Sequence, residues 1–279
     1  MYLLLLAVIY LAFISLGLPD SLLGSAWPTI RTDLDVPLSY MGMVSMIIAG
    51  GTIISGLMSE RLTKKFSTKI VTAVSVFLTA AALFGFSRVT EFYQMCLWGI
   101  PYGLGAGAID AALNNYVALH YSSRHMSWLH SFWGVGTIIS PYIMSYALTH
   151  SSWNEGYRTV SYLQFGITAV LLLTLPLWKI NSSTEEESKS TEVLGLRGAL
   201  KIKGVPYLLT GFFAYCAAES TAMLWASSYL EGTRGATKDE AAAFGSLFFI
   251  GITAGRFLSG FISDKLGDNR MIRIGTSIA

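Results

Sequence analysis

Ser55–Thr72 reads "SGLMSERLTKKFSTKIVT", and Ser259–Thr276 reads "SGFISDKLGDNRMIRIGT". The two stretches align without a gap at an offset of 204 (259 − 55). Ser, Gly, Ser and Leu recur at matching places, Glu60 matches Asp264, and Arg61 matches Lys265. The agreement extends upstream. "LGLPDSLLGSAW" carries Asp20-Ser21, and "YCAAESTAMLWA" carries Glu219-Ser220. Such a repeat implies a duplicated architecture, an organisation common among transporters, whose binding sites lie near mid-membrane between the repeats.

Composition sets the environment. Of 279 residues, 53% are hydrophobic and only 13% charged, about half the ~25% usual for soluble domains. Apolar runs near ~20 residues recur, long enough to cross a hydrocarbon core of ~30 Å. The expected fold class is an all-α polytopic membrane protein, in contact with the lipid bilayer. A net charge of +2 gives no sign of nucleic acid as a partner. Cys96 and Cys216 lie far apart in apolar runs and suggest neither a disulfide framework nor a metal site. The first run, "YLLLLAVIYLAFISLGL", lacks a basic leader, so no cleavable signal is expected.

Eight spans are predicted, at about 3–27, 38–58, 70–87, 93–118, 128–149, 158–178, 205–229 and 240–262. A ninth begins near Ile272. Residues 1–178 form a first bundle, the polar stretch 179–204 a linker, and 205–279 part of a second bundle. Thirteen Lys and Arg fall in one set of connections (61, 64, 65, 69, 124, 179, 189, 197, 201, 203, 265, 270, 273) and five in the other (31, 88, 158, 234, 238). The positive-inside rule places the N-terminus and the linker in the cytoplasm.

The motif Gly56-x-x-x-Glu60-Arg61 with Lys64 and Lys65, echoed at Gly260-x-x-x-Asp264-Lys265, resembles the loop signature of the major facilitator superfamily. The N-terminal copy has Glu for the usual Asp and Ser67 for a usual Gly. The resemblance implies a major-facilitator fold of two six-helix bundles, in which these residues form a cytoplasmic gate. With eight spans and the start of a ninth, the expectation is a six-helix bundle plus the first two to three helices of the second, truncated at the C-terminus. "GLGAGAIDAALNNYV" (Gly103–Val117) is similar to the fucose-permease branch, which are sugar:proton symporters. There a glycine-rich run leads to an acidic residue and then Asn. By that resemblance Asp110 takes the place of the branch's fourth-helix carboxylate and Asp20 that of its protonatable aspartate. His130 falls where the branch tends to carry an amide, and Trp133 replaces an expected Asn.

Asp20, Asp110 and Glu219 are the acids deepest within apolar spans. An ionisable group there costs at least ~2.5–3.5 kcal/mol and points to a cavity or a partner. These three are the candidate proton-coupling residues, and the coupling ion is expected to be H⁺ with no other cofactor. No Lys or Arg occurs in the central turns of spans 1, 4, 5 or 7. Residues three or four apart share a helix face. Gly103, Gly107, Asp110 and Asn114 therefore form one stripe, and Gly17, Asp20, Gly24 and Trp27 another. Asn114, Asn115, His130, Trp133 and Trp27 are the candidate substrate-binding residues, since aromatic rings and polar groups suit a sugar. Trp27 could equally belong to an interfacial belt, the Asn pair could bridge helices, and His130 could be solvated. Tyr102 and Trp225 read as packing residues, and His120 and His125 as loop residues.

No nucleophile, base or Walker motif points to an enzyme. The expected protein is a monomeric, multi-pass inner-membrane symporter for a sugar-like metabolite. An exporter of the same superfamily is the alternative. Gly99 stands where antiporters carry Arg, and "GTIISPYIMS" has Ser140 before Pro141, which disfavours that alternative.

Overall fold

The computed structural model describes residues 2–181 and 195–278. The chain runs α1 (Tyr2–Asp20), α2 (Leu22–Asp33), α3 (Tyr40–Phe66), α4 (Thr68–Phe86), α5 (Phe92–His120), α6 (Ser123–His150) and α7 (Trp153–Leu173). A 3-10 turn at Leu175–Asn181 follows, then α8 (Gly195–Ala199), α9 (Val205–Arg234), α10 (Lys238–Leu266) and α11 (Asp268–Ile278). Much of the expected linker, 182–194, lies outside the described residues.

The span expected at 3–27 is two helices, broken at Ser21. Proline explains the break and its repair. Pro19 has no N–H to give the carbonyl of Ser15, four residues back. The Nε2 of Gln164, fully buried on α7, donates to that carbonyl instead. Pro141 likewise leaves the carbonyl of Thr137 free on α6, and the Ser21 hydroxyl donates to it at 2.9 Å. Ser21 also meets the Ser140 hydroxyl at 2.7 Å. In lipid an unpaired backbone carbonyl costs several kcal/mol, so neighbouring helices must supply the missing donors. The same contacts fix Asp20 at the end of α1.

Close backbone approach holds the helices together, as expected where hydrophobic driving force is absent. Cβ atoms built on Gly103 and Gly107 of α5 would run into the Ile48 and Thr52 carbonyls of α3. Thr52 donates to the Gly103 carbonyl at 3.3 Å, and Ser59 to that of Ala108 at 3.4 Å. The glycine stripe on α5 thus serves helix packing. Gly17 and Gly136 let α1 and α6 approach in the same way. At the far side α9 packs on α2 beside Gly24, and α10 packs along α6. Thr237 and Glu240 form a capping box for α10, with the Thr237 hydroxyl 2.7 Å from Glu240 Oε2.

The helices carry apolar side chains on their outer faces, among them Leu3, Met46, Ile53, Leu57, Leu97 and Leu173. Leu3–Asp33, Tyr40–Phe66, Thr68–Phe86 and Lys238–Ile262 are long and apolar enough to cross a membrane. The helices α5, α6, α7 and α9 have 29, 28, 21 and 30 residues and are as long, but carry more polar groups. An exterior of this kind is that of an integral membrane protein.

Two local expectations are corrected. His120 and His125 lie on helices rather than in a loop, because α5 runs to His120 and α6 starts at Ser123. His120 stacks on Tyr116, and His125 Nδ1 meets the Tyr10 hydroxyl at 2.9 Å. The gate motif also lies on helices. Gly56, Glu60 and Arg61 are in α3, and Gly260, Asp264 and Lys265 in α10. An i,i+4 pair between Glu60 and Lys64, at 3.0 Å, extends α3 past its expected end. The helix α10 stops at Gly267, with φ +75°. At the repeat offset its counterpart is Thr63 (267 − 204), which stays helical, so α3 continues one more turn to Ser67, with φ +67°.

Candidate functional site

A cavity of about 240 Å³ lies between α1, α3, α5, α6, α9 and α10. The helix α1 lends Phe13, Leu16 and Asp20, and α3 lends Ile48 and Thr52. From α5 come Tyr102, Ala106 and Asp110, and from α6 His130 and Trp133. The helices α9 and α10 contribute Glu219 and Arg256. One wall is therefore apolar, and the rest holds three carboxylates, an imidazole, an indole and a guanidinium.

Asp20 is held from both sides. The Tyr102 hydroxyl donates to Oδ1 at 2.7 Å, and the Trp133 indole N–H donates to Oδ2 at 2.8 Å. Such bonds are about twice as strong to a carboxylate as to a neutral acceptor. On the same helix as Tyr102, the Asn114 amide donates to Asp110 Oδ1 at 2.9 Å and to the Asp110 carbonyl at 3.0 Å. The bond is i,i+4 along α5 and fixes the rotamer of Asp110.

Opposite them, Arg256 Nη2 donates to Glu219 Oε1 at 3.1 Å and to the Tyr215 hydroxyl at 2.9 Å. Its guanidinium carbon lies 4.8 Å from the centre of the Trp133 ring, within cation–π range. Phe13 packs edge-on against His130, with ring centres 5.6 Å apart.

The tertiary structure brings together Asp20, Asp110, Glu219, His130 and Trp133, all from the sequence-derived set. It does not bring Asn114, Asn115 or Trp27 to the cavity wall. Asn114 stands behind Asp110 and holds it. Asn115 is exposed, because it is one residue, or ~100° of helix, away from the cavity stripe. Trp27 is fully buried in the main apolar core, its N–H donating to the Leu38 carbonyl at 3.0 Å. That bond locks the α2–α3 turn and leaves no ring face for a ligand.

Arg256 was missed. The loop census covers 18 of the 19 Lys and Arg (13 + 5), and the one remaining, Arg256, lies inside an apolar span. That isolation was the available signal. Tyr102 was read as packing, yet it is the closest donor to Asp20. Its hydroxyl function depends on how α5 crosses α1, which no local pattern encodes.

A family model for the Major Facilitator Superfamily matches residues 9–279. This chain belongs to the Major Facilitator Superfamily. Membership places it with transporters rather than enzymes. "Bypass of stop codon protein 6" of Saccharomyces cerevisiae is 22% identical over 92% of the chain and 56% of that protein. The "Hexuronate transporter" of Bacillus subtilis is 24% identical over 92% of the chain and 64% of that protein. The chain thus spans less than two thirds of the length of these curated relatives. A crystal structure of a D-xylose-proton symporter superposes with a TM-score of 0.66 at 16% identity, covering 94% of this chain and 69% of the other. At that identity the likeness speaks for the fold alone.

Proposed function

We propose that the chain belongs to a proton-coupled importer of a sugar or similar small polar metabolite, of the fucose-permease-like branch. It works by alternating access in a bacterial-type inner membrane, as a monomer with its N-terminus in the cytoplasm. The single observation that carries this reading is Asp20, half-buried on a cavity wall between two neutral donors, with Asp110 and Glu219 lining the same cavity. Neutral donors, unlike a paired cation, leave a carboxylate free to take and give up a proton. Asp20 and Asp110 are the proton-linked pair in this reading, while His130 and Trp133 offer a polar group and a ring face to the substrate. The hydroxyl-rich edge of a pyranose suits such a wall of mixed donors and acceptors, and Phe13 and Trp133 offer rings to its apolar face.

Arg256 favours a second reading of the substrate, as an acidic sugar. Only its Nη2 is engaged by Glu219 and Tyr215, and a guanidinium offers further donors to a carboxylate. The hexuronate transporter among the relatives is consistent with that variant.

The test is uptake into proteoliposomes holding the intact protein, with radiolabelled xylose, fucose and glucuronate, with and without an inward proton gradient. Gradient-driven accumulation of one of them is expected. Asp110→Asn is expected to abolish accumulation while leaving counterflow. Unchanged pH-driven uptake by that variant would overturn the coupling assignment, and efflux against the gradient would favour the exporter.

A further inference from the structure

Trp133 makes two contacts that no other side chain on the cavity wall combines. The edge of its indole donates to Asp20 at 2.8 Å, while its ring lies 4.8 Å from the guanidinium carbon of Arg256. Asp20 ends α1, Trp133 is on α6, and Arg256 is on α10. The residue thus joins a carboxylate on one set of helices to a cation on another. Beyond Arg256 the chain of contacts continues to Glu219 and Tyr215 of α9.

We infer that Trp133 is the positioning residue that transmits the charge state of Asp20 to Arg256, and through Arg256 to α9. An N–H bond to an ionised carboxylate is roughly twice as strong as one to a neutral acid. When Asp20 carries a proton, the edge of the indole is held less firmly, and the ring that supports Arg256 is free to tilt. The cation then loses its platform, and with it the register of Glu219 against α10. The device needs a close, unyielding backbone behind the ring. Gly17 of α1 supplies it, since a Cβ there would collide with the Trp133 carbonyl oxygen. Every charged or titratable group around Asp20 belongs to this arrangement. The helix α5 presents Tyr102 and Asp110, α6 presents His130, α9 presents Glu219, and α10 presents Arg256. Behind Tyr102 is Tyr157 of α7, and α3 presents only Ile48 and Thr52.

The inference rests on the reading of Asp20 as a proton site, but its test needs no substrate. Cys216 lies one turn before Glu219 on α9, half-buried, and reports the position of that helix. In the intact protein in lipid nanodiscs, with Cys96→Ser removing the other thiol of this chain, maleimide labelling of Cys216 is timed at one fixed pH. Asp20→Asn, which imitates the neutral acid, is expected to speed labelling about threefold, the scale of losing one cation–π contact. Trp133→Phe, which keeps a ring but no donor, is expected to do the same, and the double variant no more than either alone. Trp133→His, which keeps a ring N–H, is expected to restore part of the wild-type rate. An Asp20→Asn effect of the same size with and without Trp133 overturns the inference, as does no effect at all. If Trp133→Phe does not fold, Trp133→His, alone and combined with Asp20→Asn, decides. A failed labelling test leaves gradient-driven uptake to judge the transport reading separately.

Discussion

Arg256 and Glu219 stand 3.1 Å apart on neighbouring helices, with side chains 24% and 11% exposed. The pair sets the charge of the cavity, because it supplies the one cation among three carboxylates on that wall. Arg256→Gln leaves Glu219 without a counter-ion at a partly buried position. Losing one partner of a buried pair costs about 3–5 kcal/mol, and the partial exposure here puts the expected loss near the bottom of that range. Glu219→Gln in the same background is expected to recover part of it. Thermal unfolding of the two single variants and the double variant measures the coupling, and strict additivity would refute the pair's role.

The Ser15 carbonyl, freed by Pro19, depends on Gln164. Gln164→Leu keeps the volume and removes the donor. An unsatisfied buried acceptor costs about 1–3 kcal/mol, so a lower unfolding temperature is expected. Pro19→Ala in the same chain returns a backbone N–H to that carbonyl and is expected to offset the loss. No offset would mean that the proline is not the cause.

Ser67 holds φ +67° and ψ +151° at the end of α3, and its hydroxyl finds no partner among the described residues. Glycine adopts this conformation without penalty, whereas other residues pay about 1–3 kcal/mol. Ser67→Gly is therefore expected to raise the unfolding temperature, and Thr63→Gly, inside the helix, to lower it. The opposite order would show that α3 ends at Thr63, as the repeat alone suggests.

Asn114 and Asn115 are adjacent yet separable. Asn114→Ala removes the side-chain donor that holds Asp110, so it is expected to alter the pH profile of uptake at a stability cost of about 1 kcal/mol. Asn115→Ala, at an exposed position, is expected to change neither. Equal effects from both would remove Asn114 from the site.

The sequence was most legible where one residue type has few uses. Apolar runs near helical length located the long helices among the described residues, because a helix is what lets a lipid-exposed backbone satisfy itself. Carboxylates inside those runs located Asp20, Asp110 and Glu219, since burial of such groups is costly without a purpose. It was least legible where a residue serves equally well in several roles. Trp27 and Trp133 each adjoin a small residue, Ala26 and Gly134, on apolar helices, yet one is core and the other reaches an acid. Tyr102 resembled any packing tyrosine.

By itself, the sequence determined the repeated motif, the succession of helices and the place of each acid within an apolar run, because these follow from residue pattern along one chain. Only the tertiary structure decided which helices meet. Helix crossing turned the Gly103 and Gly107 stripe into a contact with α3, brought Tyr102 and Trp133 onto Asp20, and set Arg256 against Glu219. Those pairings join residues 82, 113 and 37 positions apart. Hydrogen bonds and ion pairs act over a few ångströms, and that separation closes only when the helices pack.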